Sequence, residues 1–327
     1  DDGADIVSDV NDANGVNSAS GGESPLHLYY TSGTTGKPKG VILSHRALLD
    51  HALGAVAEFQ MQKTDIWGHF APLFHVADAF AVLAITLVGG IHVMQSEFKP
   101  FDTWKTMSRK SITMTNVAPT MLIGMMMIRK QKKKEFSLLD FSSLRMFSCG
   151  GSAIPDSVVS EFIAEFPSVE YFTSYGMTET CGKIAFSLRS KNNFGRPFML
   201  IDVRVATTKD NVVFTSVAAD GKQVGEVQVR GQTLFSGYWN NSEGTIASFT
   251  PDGEWFRTGD LAVLHGPHDF ITIVDRVKDM IVVGGENVYT TEVENVLYSH
   301  PDVEEAAVFG IPDVLLGETV CAAVVLA

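Results

Sequence analysis

From Ile66 to Thr173 the sequence keeps switching between short apolar runs and longer stretches with helical spacing, and this alternation narrows the folds open to the chain. Ile66 to Ala71 reads as a strand ending at Pro72-Leu73-Phe74-His75, and Ala79 to Val88 as a buried helix broken by Gly89-Gly90. Ile91 to Met94 is again strand-like, and a helical stretch begins at Trp104. Ser111 to Val117, Leu144 to Cys149 and Val169 to Thr173 read as strands, with helices over Met121 to Ile128 and Asp156 to Phe166. Earlier, Ser44 is placed to cap a helix whose apolar positions are Leu49, Ala52, Leu53, Val56 and Phe59. Such alternation predicts an α/β fold, with largely parallel sheets flanked by helices. Ligands of such sheets bind beyond the carboxyl ends of the strands.

The pattern changes after Gly195. Ile201 to Val205, Val212 to Thr215, Glu226 to Arg230 and Phe270 to Val274 are short alternating runs, which predict a small antiparallel β subdomain. Met280 to Val283 and Ala306 to Phe309 read as strands around a helix over Thr291 to Ser299, with Val293, Val296 and Leu297 on its apolar face. This is the start of an α+β lid, cut short because Val320 to Ala327 ends inside a strand-like run. The expected divisions are a polar arm (1–24), an α/β part (25–200), the antiparallel part (201–275) and the start of the α+β lid (276–327). The arm, rich in Asp, Asn, Gly and Ser, has too little apolar content to pack.

Composition excludes some functions. A hydrophobic content of 45% over 327 residues supports a sizeable core, and a net charge of −13 argues against general nucleic-acid binding. Cys149, Cys181 and Cys321 have neither disulfide nor zinc spacing and fit a reducing compartment, the cytoplasm or a peroxisome among them. No apolar run reaches the ~20 residues of a membrane span, and no signal peptide opens the chain. The basic run Arg129-Lys130-Gln131-Lys132-Lys133-Lys134 reads as a solvated helix end, with an acidic partner or the phosphates of a ligand as the sharper alternative.

Chemistry enters with Thr31-Ser32-Gly33-Thr34-Thr35-Gly36-Lys37-Pro38-Lys39-Gly40, in which only Pro38 is not hydroxyl-bearing, glycine or lysine. Glycines let backbone N–H groups approach an anion, hydroxyls add donors and lysines add charge. Apolar runs on both sides, Leu26 to Tyr30 and Val41 to Leu43, predict a hairpin connection able to clamp a polyphosphate. It is not the Gly-x-x-x-x-Gly-Lys-Ser/Thr loop, since Thr31 stands where the first glycine would be and Pro38 follows the lysine. The bland reading is a flexible surface hairpin. Gly150 to Ala153 and Ser174 to Thr180 are further glycine- and hydroxyl-rich loops placed just after strands.

The threonine-rich stretch resembles the signature loop of adenylate-forming enzymes, the superfamily of acyl- and aryl-CoA synthetases, peptide-synthetase adenylation domains and beetle luciferases. Further motifs recur in the family's order. Tyr175-Gly176-Met177-Thr178-Glu179 is similar to the segment whose Tyr stacks on adenine, whose Thr meets the phosphates and whose Glu holds Mg²⁺. Mg²⁺ takes hard oxygen ligands through one or two carboxylates plus phosphate; a glutamate opening the next helix is the plain reading of Glu179. Gly150-Gly151-Ser152-Ala153 resembles the small-residue turn against adenine. Asp260, in Trp255-Phe256-Arg257-Thr258-Gly259-Asp260, resembles the carboxylate that binds the ribose diol, and Arg276 the later arginine of the same nucleotide site.

The resemblance further implies a hinge at Lys278, a coenzyme A tunnel along Gly284, Gly285 and Glu286, and an acyl pocket bordered by His75, Val76, Ala79, Gly150, Gly176, Cys181 and Gly182. His75 stands where amino-acid-activating members carry the Asp that holds an α-ammonium, so the resemblance argues against an α-amino acid substrate. Lys183 borders the same region, with a polar substrate group and surface exposure as equal alternatives. The implied activity is that of a carboxylic acid–CoA ligase using ATP, Mg²⁺ and CoA, with Thr31, Lys37, His75, Thr178 and Glu179 at the chemistry. A carrier-protein phosphopantetheine acceptor, luciferase-like oxygenation and a non-catalytic nucleotide-binding relic are the rivals. The family's catalytic lysine would lie beyond Ala327 and its N-terminal lobe before Thr31, so the resemblance implies the central part of a longer enzyme.

Overall fold

The computed structural model describes residues 22–32, 37–152, 154–188, 195–209, 213–266, 270–298, 300 and 302–326. Strands β1 (Pro25–Thr31) and β2 (Lys39–Ser44) pair antiparallel with Thr31 opposite Lys39, so the threonine-rich stretch is a hairpin connection. The hydroxyl of Ser44 accepts a hydrogen bond from the backbone N–H of Ala47 at 3.1 Å and caps α1 (His45–Glu58) as expected. The buried face of α1 differs from the predicted stripe: Leu48, His51, Ala52 and Ala55 face the core, while Leu49 and Leu53 are exposed. The difference arises from His51, whose ring packs on Phe80 and Phe198; a count of apolar residues does not register it.

A seven-stranded sheet carries the middle of the chain. Its parallel part runs, in spatial order, from β4 (Ile91–Met94) through β3 (Ile66–His69), β5 (Met114–Val117) and β6 (Met146–Gly150) to β7 (Glu170–Met177). The connections are α2 (Val76–Val88), α3 (Pro100–Arg109), α4 (Pro119–Gln131) with the single turn α5 (Lys133–Phe136), and α6 (Asp156–Glu165). Gly89 ends α2 in the left-handed conformation, as glycines do at helix C-termini. Two antiparallel strands, β8 (Gly182–Leu188) and β9 (Arg196–Pro197), close the sheet. One hydrophobic cluster unites α1 and α2 with Trp67, Met114 and Phe172, and another unites α3, α4 and α6 with Phe147 and Tyr171. The sheet is therefore the middle layer of three. In the basic run, Arg129 ion-pairs with Glu161 and Glu165 and Lys130 with Glu161, so part of it staples α4 to α6.

An antiparallel five-stranded sheet follows, in the order β11 (Val213–Ser216), β10 (Ile201–Lys209), β12 (Asp220–Gly231), β14 (Phe256–His265) and β15 (Phe270–Arg276). Between β12 and β14 the chain adds a short strand, β13 (Gly237–Tyr238), to β2 and forms α7 (Ser242–Ala247). The last sheet is antiparallel: β16 (Ile281–Val283), β17 (Glu286–Val288), β18 (Val303–Asp313) and β19 (Gly317–Leu326), with α8 (Thr290–Tyr298) packed on β18. Val293 and Leu297 of α8 are half-buried and Val296 is exposed, so its predicted apolar face is only partly used. The fold is α/β with a mixed sheet flanked by helices, followed by antiparallel sheets. Among the described residues no helix is long and apolar enough to cross a membrane.

Candidate active site

Residues Ser174 to Met177 belong to β7 and not to a loop after it, which corrects the expectation. The strand runs on because β8 returns beside it, with Gly176 opposite Lys183 and Met177 opposite Gly182. A single 3₁₀ turn, Thr178–Thr180, and Cys181 at φ 58° close the hairpin, so Glu179 sits in a tight turn and opens no α-helix. The two glycines here answer to packing. A Cβ on Gly176 would stand 1.7 Å from the carbonyl oxygen of Gly182, and one on Gly150 would stand 2.3 Å from Ser174 Oγ. Close strand approach therefore accounts for Gly150 without reference to a purine. Gly151 and Ser152 are exposed beyond β6, and Ala153 lies outside the described residues.

Two chains of contacts converge on this hairpin. In one, the Tyr175 hydroxyl donates to Asp260 Oδ2 at 2.7 Å, and Arg276 Nε approaches Asp260 Oδ1 at 3.2 Å. Asp260 and Arg276 face each other across β14 and β15. The bend before Asp260 is held by Glu226, which accepts from Arg257 Nε at 2.9 Å and from the Gly259 N–H at 3.2 Å. Burial pushes the Asp260 carboxyl up, against the opposing pull of Tyr175 and Arg276, and burial raises Tyr175 as well. In the other chain, Lys39 Nζ lies 4.7 Å above the ring of Tyr238, whose hydroxyl donates to Glu179 Oε1 at 2.8 Å. The N–H of Phe235 donates to the Glu179 carbonyl at 2.8 Å.

Thus the base of the threonine-rich hairpin, Tyr175, Glu179, Asp260 and Arg276 gather at one edge, though they come from separate sheets. Thr31, Ser32 and Lys37 flank the hairpin tip, while Gly33, Thr34, Thr35 and Gly36 lie outside the described residues. Half-buried Glu179 keeps Oε2 beside its occupied Oε1, which suits a cation that takes one carboxylate plus phosphate oxygens. A carboxylate offers about four acceptor positions, so Asp260, with two engaged, can still take a diol.

Other predicted residues sit elsewhere. His75 is exposed at the start of α2, makes no capping bond through its side chain, and packs its ring 4.6 Å from that of Phe74. Val76 and Cys181 are buried, Ala79 and Gly182 half-buried, and burial pushes the Cys181 thiol up to about 12. Lys183 is buried, at 4% exposure, which removes the surface alternative. Lys278 lies in an exposed turn after β15. Gly284 and Gly285 form the two-residue turn between β16 and β17 with φ of 59° and 92°, which by itself calls for glycine. Across the Lys278 turn, Asp275 accepts from the Thr290 N–H at 2.5 Å and from its hydroxyl at 3.0 Å. A cavity of about 410 Å³ lined by Arg129, Lys133, Phe136 and Phe141 lies away from all these motifs.

Several polar residues at this edge and in the core behind it carry no sequence signal of their own. Tyr238 lies among Phe235, Trp239 and Phe249 and reads as core; its hydroxyl gains meaning once β13 joins β2. Asp78, fully buried, accepts from Trp67 Nε1 at 2.9 Å and meets His69 Nδ1 at 3.0 Å. His51 Nε2 accepts the backbone N–H of Lys183 at 2.9 Å, and burial holds its imidazole down at about 3.

Comparison with known proteins follows the same lines. Residues 4–239 match the family described as AMP-binding enzyme, and residues 292–327 match the AMP-binding enzyme C-terminal domain. The chain is 33% identical over 310 residues to the long-chain-fatty-acid–CoA ligase FadD13 of Mycobacterium tuberculosis, covering 93% of this chain and 58% of that one. It is 35% identical over 304 residues to feruloyl-CoA synthase of an Amycolatopsis species, covering 91% and 59%. The o-succinylbenzoate CoA synthetase of Bacillus subtilis, solved with ATP and magnesium ion, superposes with a TM-score of 0.80 at 30% identity, covering 93% and 61%. The chain thus spans about three fifths of the length of these relatives. On its sequence and its three-layer architecture alike, it belongs to the AMP-binding enzyme family.

Proposed function

We propose that the protein is part of a carboxylic acid–CoA ligase that activates its acid with ATP. The convergence of Lys39–Tyr238–Glu179 and Tyr175–Asp260–Arg276 on one hairpin carries this reading, because it gives phosphate, metal, base and ribose each a holder within one edge. Thr31, Ser32, Gly33, Thr34, Thr35, Gly36, Lys37 and Thr178 hold the phosphates. Tyr175, Gly176, Met177, Gly151, Ser152 and Ala153 border the adenine, and Asp260 with Arg276 takes the ribose. Glu179 is the ligand for Mg²⁺, which supplies charge neutralisation of the phosphates.

An acid oxygen attacks the α-phosphorus, the α–β phosphoanhydride bond breaks, and acyl-AMP and pyrophosphate result. The residues position the reactants and stabilise developing charge, which is the main contribution a protein makes to such transfers. The chain then turns at Lys278, bringing Gly284, Gly285 and Glu286 toward the site. The CoA thiol loses its proton, attacks the acyl carbon and displaces AMP. His75 borders the mouth of the acyl pocket and Val76, Ala79, Gly150, Cys181 and Gly182 its walls.

The test is ATP–pyrophosphate exchange in the full-length protein carrying Glu179→Gln. A fall on the order of 10²–10³ is expected from removing one preorganised charge; undiminished exchange would falsify the metal assignment. Supplying free CoA and assaying the thioester separates the ligase from carrier-protein transfer and oxygenation, and ATP binding without exchange marks a relic.

A further inference from the structure

Lys183 is a buried cation with no ion-pairing carboxylate among the described residues. Its Nζ lies 4.3 Å above the ring of Phe80 and 5.7 Å from that of Phe59, and its residue is 4% exposed. Rings attract an ammonium but do not replace its hydration, so a buried charge held this way stays under-compensated. Asp78 is near enough to favour the charged form, yet its two oxygens are already engaged by Trp67 and His69. Burial brings the Lys183 ammonium down to about 8.

Independent of the lysine, two more polar atoms near α2 lack partners. Asn116 donates through Nδ2 to the carbonyl of Ala77, next to Asp78, at 2.8 Å, but its Oδ1 is buried without a hydrogen bond. Ser148, opposite Asn116 across β5 and β6, has a buried Oγ without a hydrogen bond. Their residues are 1% and 0% exposed. Buried polar groups are almost always satisfied, and exceptions mark places that await a ligand or water.

These groups lie around the first turn of α2 and the β7–β8 hairpin, the region that the ligase reading assigns to the acyl group. Glu179 is at the turn of that hairpin, and Lys183 follows on β8 with its head directed at Phe80. We propose that Lys183 is a specificity-determining residue that pairs with a second carboxylate at the far end of the substrate, so that the protein activates dicarboxylic acids. The inference rests on the ligase reading. The distal carboxylate accepts from the Lys183 ammonium and the Ser148 hydroxyl, while the proximal one reacts at the Glu179 edge.

Acids of matched length test it in the full-length protein: octanoate against suberate, and 4-methylbenzoate against terephthalate. Pyrophosphate release should favour the dicarboxylate at least tenfold in kcat/KM in one pair, Lys183→Met should abolish or invert that preference, and Lys183→Arg should keep it. A preference for the monocarboxylates, or a ratio that Lys183→Met leaves unchanged, overturns the proposal while leaving the ligase reading intact. If no acid releases pyrophosphate, the ligase reading fails by itself. Thermal shift with the same acids then decides: a dicarboxylate-selective rise in Tm lost in Lys183→Met supports the pocket, and equal shifts overturn it.

Discussion

Two charged clusters flank the same hairpin, and they are balanced in opposite ways. At the outer edge, Asp260 is matched by Arg276 and Tyr175, and the guanidinium is more than half exposed. Inside, Lys183 faces two aromatic rings, its backbone is read by a histidine held neutral, and Asp78 is taken up by other donors. The outer carboxylate of Asp260 is charge-matched without a ligand, so its geometry is preformed and binding has little to rearrange. The inner cluster is incomplete, and its native state carries an unrelieved desolvation penalty. A site of the first kind suits a constant substrate such as a nucleotide, and one of the second kind suits the variable partner whose charge it lacks.

The sharpest way to break this contrast is acid. His51 binds its proton near pH 3 when folded and near 6.5 when unfolded, so between those values the unfolded chain holds the extra proton. Stability therefore falls as pH drops from about 6.5 toward 3, by on the order of 4 kcal/mol if the full difference is expressed. Denaturant melts across that range should show the loss, and His51→Gln, which keeps an acceptor for the Lys183 N–H, should flatten it. An equal slope in the variant would show that the inner cluster does not set the acid limb.

The outer cluster predicts the converse, a large effect on binding with a modest one on folding. Asp260→Ala removes both oxygens proposed to accept from the ribose and should weaken ATP binding about 100-fold, near 2.7 kcal/mol. Stability should fall by only about 1–2 kcal/mol, because exposed Arg276 regains water. Calorimetric titration with ATP and a denaturant melt check the pair. Unchanged ATP affinity would remove Asp260 from the site.

What could be read beforehand divides along the same line. The outer residues stand in short motifs whose order resembles that of a family, and that resemblance picks out Tyr175, Glu179, Asp260 and Arg276, whereas Asp260 read by itself is a turn residue. The alternation of elements was legible too, because burial on both faces leaves apolar runs. Of the inner cluster only Lys183 is picked out in the sequence, as a residue at the pocket border, and its surroundings are not. Lys183, His51 and Asp78 come from three elements separated by 27 to 132 residues, and their meaning arises when α1, α2 and β8 pack. The face of α1 differs for that reason: apolar spacing points to Leu49 and Leu53, while the core takes His51. The local sequence around Tyr175 reads as a loop, because strand continuation depends on a partner strand that local sequence does not announce.

A moderate effect is expected in alkali. The Lys183 ammonium loses its proton near pH 8 in the native state and near 10.5 when unfolded, so stability should rise between those values. In Lys183→Met that rise should vanish, and at pH 7 the variant should be more stable by about 1–3 kcal/mol, as when a buried charge gives way to an apolar side chain. A variant less stable at pH 7 would mean that Phe59, Phe80 and Asp78 already compensate the ammonium, erasing the contrast between the clusters.

The smallest effect belongs to the contact that joins the hairpin to Glu179, the proposed metal ligand. Tyr238→Phe deletes the hydrogen bond to Glu179 and keeps the ring under Lys39 and against Phe235. The lost bond is worth about 1 kcal/mol, and half-buried Glu179 can recover part of it from water. Exchange at saturating Mg²⁺ should therefore change less than about threefold. The Mg²⁺ concentration for half-maximal exchange should shift by about fivefold, because the carboxylate is no longer held in one rotamer. A fall in maximal rate with no shift in Mg²⁺ dependence would instead place the Tyr238 hydroxyl on the reacting phosphates, and the outer cluster would then contain one more group that touches substrate.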